Sequence, residues 1–399
     1  MQLLGLYGRV NFILIQQSNF FYFFTQLKSI KMSRNDKDVL TDDVYRDFKK
    51  SVNTDRVTSK GQERHEKGLG LDPLVDPASN GVIRRSLNRM ESEGLLFRLV
   101  MGVAILIEER LDTTGSFRRN VDIAFKALPR AYELLKKVLG RYDLQMINAI
   151  FADELDEYIL CRSHAEMGIK IAEQMTLMVP EGGGKGNHGE DPQYGLFAGA
   201  YLTSADINRY GLKSYDFTTT DEPSHEPILK SQLERVFGKE VFNRVKENGF
   251  EIDPDNLPTV KQVIDKLLER AHTFVFLVDK DSEANDYWTT VIDQNRIIYL
   301  EDTLWLPEVK AAIIGLTEGV LTLSDMEDFL VNEANVSKDV ARMIKRAVSG
   351  IPIGAQTLLE NFDKIPLKGD LFKEKRDMWP TDETPGEDDS EEPTKTVWL

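Results

Sequence analysis

The sequence predicts an α/β fold: a doubly wound, mostly parallel sheet with helices on both faces, followed by a short helical C-terminal extension. Short runs rich in β-branched and aromatic residues alternate with longer stretches whose apolar residues recur at helical spacing. The predicted helices are long enough to form crossovers between parallel strands, which places helices on both faces of the sheet. In such sheets ligands bind at the carboxyl ends of the strands.

The predicted elements follow one another in a regular order. The first strand is the apolar run LVMGVAILI at 99–107, and later strands are predicted within 143–160, 212–227, 272–281 and 295–302. Amphipathic stretches predict helices within 121–139, 164–178, 195–211 and 306–321. This alternation is the basis of the fold-class prediction.

Changes in composition along the chain predict five regions. We expect an upstream extension at 1–31, a polar and largely disordered arm at 32–92, the α/β domain at 93–320, a helical extension at 321–370 and an acidic disordered tail at 371–399. Residues 1–31 are aromatic and apolar but contain no uninterrupted run near the ~20 residues of a membrane span, so a span is not expected, and a weak amphipathic anchor is the alternative. Met32 is the expected initiator.

The overall charge limits the class of partner. The chain of 399 residues has 66 acidic and 50 basic side chains and a net charge of −16. Nucleic-acid binding requires clustered Lys and Arg to neutralise phosphates, so we expect no nucleic-acid partner. The single cysteine, Cys161, excludes an intrachain disulfide and fits a reducing compartment, so we expect a cytoplasmic protein.

A hydroxyl-rich turn follows the first predicted strand. The stretch LDTTGSFRRN at 111–120 contains an acid, Asp112, and two hydroxyls spaced two residues apart, Thr114 and Ser116. Core packing does not require these side chains at the end of a buried strand. Hard divalent cations prefer oxygen ligands, and a tight turn can direct both hydroxyls towards one ion. The turn therefore indicates that a ligand is held there, and a divalent cation is one candidate.

Two later loops are expected at the same edge of the sheet. The stretch YDFTTTDEP supplies Asp221, with Thr220 beside it. The glycine-rich loop GGGKGNHGEDPQYG offers Asn187 and His188, and also Glu190 or Asp191, as oxygen or nitrogen ligands. It does not fit the spacing of a Walker phosphate-binding loop.

Together, the D-x-T-x-S turn, Asp221 and the order of elements over roughly 97–320 resemble the von Willebrand factor type A (VWA) domain and its metal-ion-dependent adhesion site. This resemblance implies a VWA/Rossmann-like sheet and a binding function without catalysis. It implies Mg²⁺ or Mn²⁺ held by the residues Asp112, Thr114, Ser116, Asp221, Asn187 and His188, with the coordination completed by an acidic side chain of a partner protein. It also implies an adaptor in an intracellular multiprotein assembly, such as those built around AAA+ ATPases. The second loop departs from the family pattern because it has glycines but no threonine.

Several alternatives remain open from the sequence. Asp112 could be the nucleophile of a Mg²⁺-dependent phosphohydrolase of the haloacid-dehalogenase type with Asp221 as metal ligand, although the position for its second acid is Thr114. The turn could instead only cap the next helix through Ser116. A zinc-type site of Asp221 with the loop histidines is a further alternative. The acidic run FADELDE at 151–157 is interpreted as a solvated edge.

Overall fold

The computed structural model describes residues 58–85, 89–93, 96–100, 104–115, 117–140, 142–180, 189–278, 282–301 and 303–364. All of them belong to one unit, Asp47–Leu399. The strands are β1 (Ile83–Arg85), β2 (Arg89–Glu93), β3 (Leu96–Val100), β4 (Ala104–Asp112), β5 (Asp143–Phe151), β6 (Leu160–Arg162), β7 (Thr203–Ala205), β8 (Ser214–Thr220), β9 (Ala271–Val278) and β10 (Ile297–Leu300).

The helices of the described residues alternate with these strands. They are α1 (Ser59–Glu66), α2 (Pro77–Asn80), α3 (Arg118–Val138), α4 (Ile169–Met175), α5 (Pro192–Tyr201), α6 (Lys230–Phe237), α7 (Val241–Glu247), α8 (Val260–Arg270), α9 (Ser282–Val291), α10 (Leu306–Thr317), α11 (Met326–Asn332) and α12 (Lys338–Ala347).

The central sheet has six strands in the order β10–β9–β8–β4–β5–β6. Neighbouring strands are parallel, except that β6 runs antiparallel to β5. Two smaller sheets pair β1 with β7 and β2 with β3. The mixed, mostly parallel sheet surrounded by helices confirms the predicted α/β class.

The sheet is buried on both faces, as its sequence pattern predicts. All eight residues of β9, AHTFVFLV, are buried, and so are all but one residue of β4. A mainly apolar run such as that of β9 is typical of parallel strands covered by helices on both sides. In β4, Glu109 forms an ion pair of 2.7 Å with Lys310 of α10, whereas the next residue, Arg110, packs against α5. Because successive side chains of a strand point to opposite faces, these contacts place α10 and α5 on opposite faces.

A network of buried charges crosses the face of the sheet beneath α5. The guanidinium of Arg110 donates two hydrogen bonds to Asp216 of β8, one of them 2.7 Å long, and a third of 3.1 Å to Thr218. On the other side, Arg162 of β6 donates two hydrogen bonds, of 2.9 and 2.8 Å, to Glu108. All four charged side chains are buried. Two acids and two bases therefore balance one another across strands β6, β4 and β8.

Two glycines of α5 make room for this network. A Cβ atom at Gly195 would lie 2.5 Å from Cδ of Arg110, and one at Gly199 would lie 2.6 Å from its Nη2. Both distances are shorter than a carbon atom tolerates. The helix can approach the arginine only because these positions, four residues apart, carry no side chain.

Residues 58–85, within the predicted disordered arm, are ordered. They form α1, α2 and β1, and backbone hydrogen bonds connect them to the domain. The amide of Gly61 donates to the carbonyl of Thr176 (2.9 Å), and the amide of Arg162 donates to the carbonyl of Val75 (2.8 Å). The expectation of disorder is therefore wrong for 58–85, because these backbone hydrogen bonds and the burial of apolar side chains such as Val75 and Ile83 fix the segment to the domain. The remaining predicted residues of the arm, 32–57 and part of 86–92, lie outside the described residues, as do the upstream extension 1–31 and the acidic tail 371–399.

The amide side chain of Gln356 ties the helical extension to the beginnings of strands β8 and β9. Gln356 is fully buried and donates a 2.8 Å hydrogen bond to the carbonyl of Lys213, while its Oε1 accepts from the amide of the same residue (3.3 Å). The same Oε1 lies 3.0 Å from Nε2 of His272. Burial lowers the pKa of His272 to about 4, so this imidazole is neutral and Nε2 is the donor.

In the part of the chain that the structure describes, no helix combines the length and the apolar character needed to cross a bilayer. Residues 1–31, for which the sequence analysis considered membrane insertion, lie outside that part.

The space at Gly199 gives a stability prediction. We expect Gly199→Ala to lower the free energy of unfolding by about 1–3 kcal/mol, because Arg110 is held by Asp216 and cannot move away from the added methyl group. Gly140→Ala is the matched control, since a Cβ there would meet nothing closer than 3.8 Å, and a change within about 0.5 kcal/mol is expected. Urea denaturation of the three proteins measures the difference. Equal stability of Gly199→Ala and wild type would contradict the packing described here.

Candidate metal centre at the carboxyl edge of the sheet

The predicted site lies where three parallel strands end. Asp112, the last residue of β4, pairs in register with Phe151, the last residue of β5. Strand β8, on the other side of β4, ends at Thr220, and Asp221 follows it. The carboxyl ends of parallel strands meet at one edge, so the loops after β4, β5 and β8 meet there.

Asp112 is fully buried and organises the turn that follows it. Its Oδ1 accepts hydrogen bonds from the amide (2.9 Å) and the hydroxyl (2.7 Å) of Thr114. Its Oδ2 accepts a hydrogen bond of 2.8 Å from the hydroxyl of Thr220. The bond to the amide two residues on is the usual turn of an Asp side chain onto its own backbone. One carboxylate thus holds two hydroxyls, one from each side of the site.

The surroundings of Asp112 disfavour its ionised form. Burial, together with the nearby charge of Asp221, raises the pKa of Asp112 to about 7, against the hydrogen bonds from Thr114 and Thr220 that lower it. A buried carboxylate is usually balanced by a base. The base nearest along the strand, Arg110, is already paired with Asp216.

Glu190 brings a further acid into the same space. The amide of Glu190 donates to the carbonyl of Pro223 (3.0 Å), and the amide of His225 donates to the carbonyl of Glu190 (2.9 Å). These bonds fix the end of the glycine-rich loop against the loop after β8. The Glu190 side chain is 7% exposed, and its Oε2 has no hydrogen-bond partner within the described part of the chain.

The charges around Glu190 have the same sign as its own. Burial raises its pKa to about 9, and the charge of Asp112 is the next largest cause, with Asp153 and Glu222 adding to it. A hydrogen bond with Thr114 acts in the opposite direction. Among the described residues, the charged groups that most affect the pKa values of Asp112 and Glu190 are all acids. A bound cation would stabilise the ionised forms of these acids.

A group of three potential metal ligands lies beside this centre. One ligand atom each from Asp153, Asp191 and His225 lie within 4.8 Å of one another. Asp191 accepts hydrogen bonds from the amide of Glu154 and the side chain of Gln193, and its Oδ1 is 3.3 Å from Nδ1 of His225. Both carboxylates are buried. This group of two aspartates and a histidine could hold a metal ion.

A glycine allows the histidine to take this place. Gly189 has a φ of +94°, and a Cβ there would lie 2.8 Å from both Cδ2 and Nε2 of His225. Positive φ and close approach both favour glycine at this position. The glycine-rich loop thus contributes space for the imidazole of the neighbouring loop.

The structure brings together three of the six predicted ligands. Asp112 and Thr114 are hydrogen-bonded, and Asp221 is close enough to raise the pKa of Asp112. The other three, Ser116, Asn187 and His188, lie outside the described residues. Helix α3 begins after Phe117 as its N-cap, with no side-chain cap hydrogen bond, so Ser116 is not the N-cap considered from the sequence.

The acids that follow β5 are not among the residues predicted for the site. The interpretation of 151–157 as a solvated edge is wrong for Asp153 and Asp156, which are 3% and 5% exposed. The signal available was the position of Asp153 just after the carboxyl end of a strand. Glu190 and Asp191 were recognised as substitutes for the absent threonine, but not preferred to Asn187 and His188.

Comparisons with known proteins show only distant similarity. No protein-family model and no curated protein sequence matches the chain. Among solved structures, the pilus adhesin SpaC from Lactobacillus rhamnosus GG aligns with 53% of this chain and 31% of its own, at 11% identity and a TM-score of 0.33. Proximal thread matrix protein 1 from the mussel byssus aligns with 53% of this chain and 46% of its own, at 12% identity and a TM-score of 0.33. The chain therefore spans less than half of either protein.

The raised pKa of Asp112 predicts how stability depends on pH. In a chelator, the unfolded chain releases the Asp112 proton near pH 4, whereas the folded protein retains it up to about pH 7. Stability is therefore lost as the pH rises between these values, by roughly 1.4 kcal/mol for each pKa unit of difference. We expect Asp112→Asn to reduce this loss, as measured by urea denaturation from pH 4 to pH 8.

The control for this experiment is Asp255→Asn, which removes the same charge from a side chain that is 92% exposed. It should follow the wild-type pH profile. If wild type and Asp112→Asn differ by the same free energy at every pH, Asp112 does not have a raised pKa in the folded protein.

Proposed function

We propose that the chain is a divalent-cation-dependent protein-binding module of the VWA type. The carboxyl edge of the sheet would hold Mg²⁺, or Mn²⁺ in its place, through Thr114, Asp221 and Glu190, with Asp112 orienting the hydroxyls. The observation that carries this proposal is the convergence of two hydroxyls and several buried acids at one strand edge. A bound cation would supply positive charge to this edge and an open coordination position.

The hydrogen bonds of Asp112 leave the threonine oxygens suited to act as ligands. A hydroxyl has one hydrogen to donate and two lone pairs. Thr114 donates its hydrogen to Oδ1 of Asp112, and Thr220 donates to Oδ2. One lone pair of Thr220 accepts from the amide of Glu222 (3.1 Å). Hydroxyl oxygens are the type of ligand that Mg²⁺ prefers.

Glu190 supports the proposal at the point where the sequence departs from the family pattern. The second loop lacks the threonine of VWA domains, yet it places a buried carboxyl group within hydrogen-bonding reach of Thr114. Its Oε2 has no hydrogen-bond partner among the described residues. A buried acceptor without a donor is costly unless another group, such as a cation, satisfies it.

The expected partner follows from the same resemblance. Mg²⁺ requires near-octahedral coordination by oxygen and usually retains several waters. A carboxylate of a partner protein could replace one of those waters. The proposal includes the role that the family resemblance implies, an adaptor in a cytoplasmic multiprotein assembly, with an AAA+ ATPase assembly as one such setting.

The alternative role of Asp112 as the nucleophile of a phosphohydrolase has less support. The side chain is fully buried, and both of its oxygens accept hydrogen bonds from the turn or from Thr220. A nucleophilic carboxylate would need one oxygen directed at the substrate. The cation-binding experiment includes a phosphatase assay for this reason.

Calorimetric titration of the full chain with Mg²⁺ and Mn²⁺ tests the proposal. We expect wild type and Asp255→Asn to bind with equal affinity, and Asp112→Asn and Asp221→Asn to lose at least about tenfold, since both would remove parts of the site. Thermal unfolding shows whether each variant is folded. Binding of Mg²⁺ should also raise the midpoint of unfolding of the wild type.

Two outcomes would contradict the proposal. Failure of the wild type to bind either cation would remove the proposed ligand. Turnover of p-nitrophenyl phosphate that depends on Asp112 and Mg²⁺ would favour the phosphohydrolase instead. Once cation binding is established, capture of a partner by wild type and Asp255→Asn, but not by Asp112→Asn or in chelator, would support the adhesion mechanism.

A further inference from the structure

His225 introduces nitrogen chemistry next to a site made of oxygens. Its imidazole lies with Asp153 and Asp191 in the group whose ligand atoms are within 4.8 Å of one another. Mg²⁺ prefers oxygen ligands, whereas an imidazole favours Zn²⁺ and similar transition-metal ions. The group therefore differs in ion preference from the centre around Asp112.

The two carboxylates are held in position by contacts that do not involve the histidine. Asp191 is 1% exposed and accepts from the amide of Glu154 and from Gln193. Asp153 is 3% exposed, and its Oδ1 accepts from the amide of Leu155 (2.6 Å). Hydrogen bonds of this kind orient metal ligands in proteins.

The contact between the histidine and Asp191 can be replaced by metal coordination. Nδ1 of His225 is 3.3 Å from Oδ1 of Asp191. This distance is longer than the usual length of such hydrogen bonds, about 2.9–3.0 Å. The side chain of His225 is 29% exposed, so an ion and its waters can reach it. Zinc lies about 2.0–2.2 Å from nitrogen and carboxylate ligands, so a small inward movement of the three side chains would bring them to binding distance.

A neighbouring buried acid adds negative charge beside this group. Glu190 precedes Asp191 in the chain, is 7% exposed, and has a buried Oε2 without a hydrogen-bond partner in the described part of the protein. Asp153 is one of the acids that act on it electrostatically. The loop that carries Asp191 therefore also carries an unsatisfied buried oxygen within electrostatic range of Asp153.

We propose that Asp153, Asp191 and His225 form a second cation site, for a zinc-type transition-metal ion, separate from the Mg²⁺ site around Asp112. Three protein ligands would leave at least one coordination position for water or an external ligand. The site goes beyond the proposed adhesion function and does not depend on it. Its ligands come from the loops after β5 and β8 and from the start of α5, so an ion there would tie these three segments together.

Co²⁺ serves as a spectroscopic probe for such a site. The chelator-treated full chain is titrated with Co²⁺ while visible absorption is recorded, and Zn²⁺ is then added as competitor. We expect one Co²⁺ to bind to the wild type and to be displaced by Zn²⁺. His225→Gln and Asp153→Asn should each weaken Co²⁺ binding at least about tenfold.

Matched variants separate this site from the first one. His65→Gln is the control for the histidine, because His65 also faces one acid, Glu157, at 3.8 Å, but is outside the group. It should bind Co²⁺ like the wild type. Asp112→Asn should retain Co²⁺ binding, and His225→Gln should retain Mg²⁺ binding within about threefold.

Specific outcomes would overturn the second site. These are no Co²⁺ binding by the wild type, full Co²⁺ binding by both His225→Gln and Asp153→Asn, or loss of Co²⁺ binding by Asp112→Asn, which would indicate one shared site. Thermal unfolding in chelator shows whether each variant is folded. If either His225→Gln or Asp153→Asn is not folded, the other variant still decides the outcome. Loss of Mg²⁺ binding alone would contradict the adhesion function and leave this site intact.

Discussion

The bidentate ion pair between Arg110 and Asp216 is the interaction on which the polar face of the sheet depends. It joins the two central strands, β4 and β8, inside the protein, where a charge without a partner is costly. The second pair, Glu108 with Arg162, extends the balance to β6. The close approach of α5 is possible only because its glycines leave room for the arginine. Removal of any one member would leave an unpaired charge under a helix that cannot adjust.

The same pair determines the chemistry of the site. Asp112 lies two residues beyond Arg110, on the same face of β4, but the arginine is committed to Asp216. Asp112 therefore meets hydroxyls and other acids at the end of the strand. In a core without a function, a buried acid such as Asp112 would be paired with a base. Exceptions to such pairing are expected at functional sites. The protein balances its charges in the centre of the sheet and leaves them unbalanced at the edge, where an ion can enter.

Much of the fold and part of the site could be predicted from the sequence. The ends of parallel strands meet at one edge, so the convergence of Asp112, Thr114 and Asp221 follows once the strands are recognised. The burial of Asp153 and Asp191 does not follow from any local pattern, since an acid in a polar loop has the same sequence signature whether solvated or enclosed. Their burial depends on pairing between residues 189–191 and 222–225. The order of residues 58–85 likewise depends on hydrogen bonds and apolar contacts with distant segments, which local composition does not encode.

The buried amide of Gln356 has a consequence for how the chain folds. By binding both backbone groups of Lys213 and the imidazole of His272, it couples residues near the C-terminus to the beginnings of strands β8 and β9. The amides of Gly354 and Gln356 also bond to the last carbonyls of α10. A chain cut at residue 320, the domain boundary predicted from the sequence, would expose those backbone groups and the beginnings of β8 and β9 to solvent. The helical extension therefore belongs to the same cooperative folding unit as the sheet.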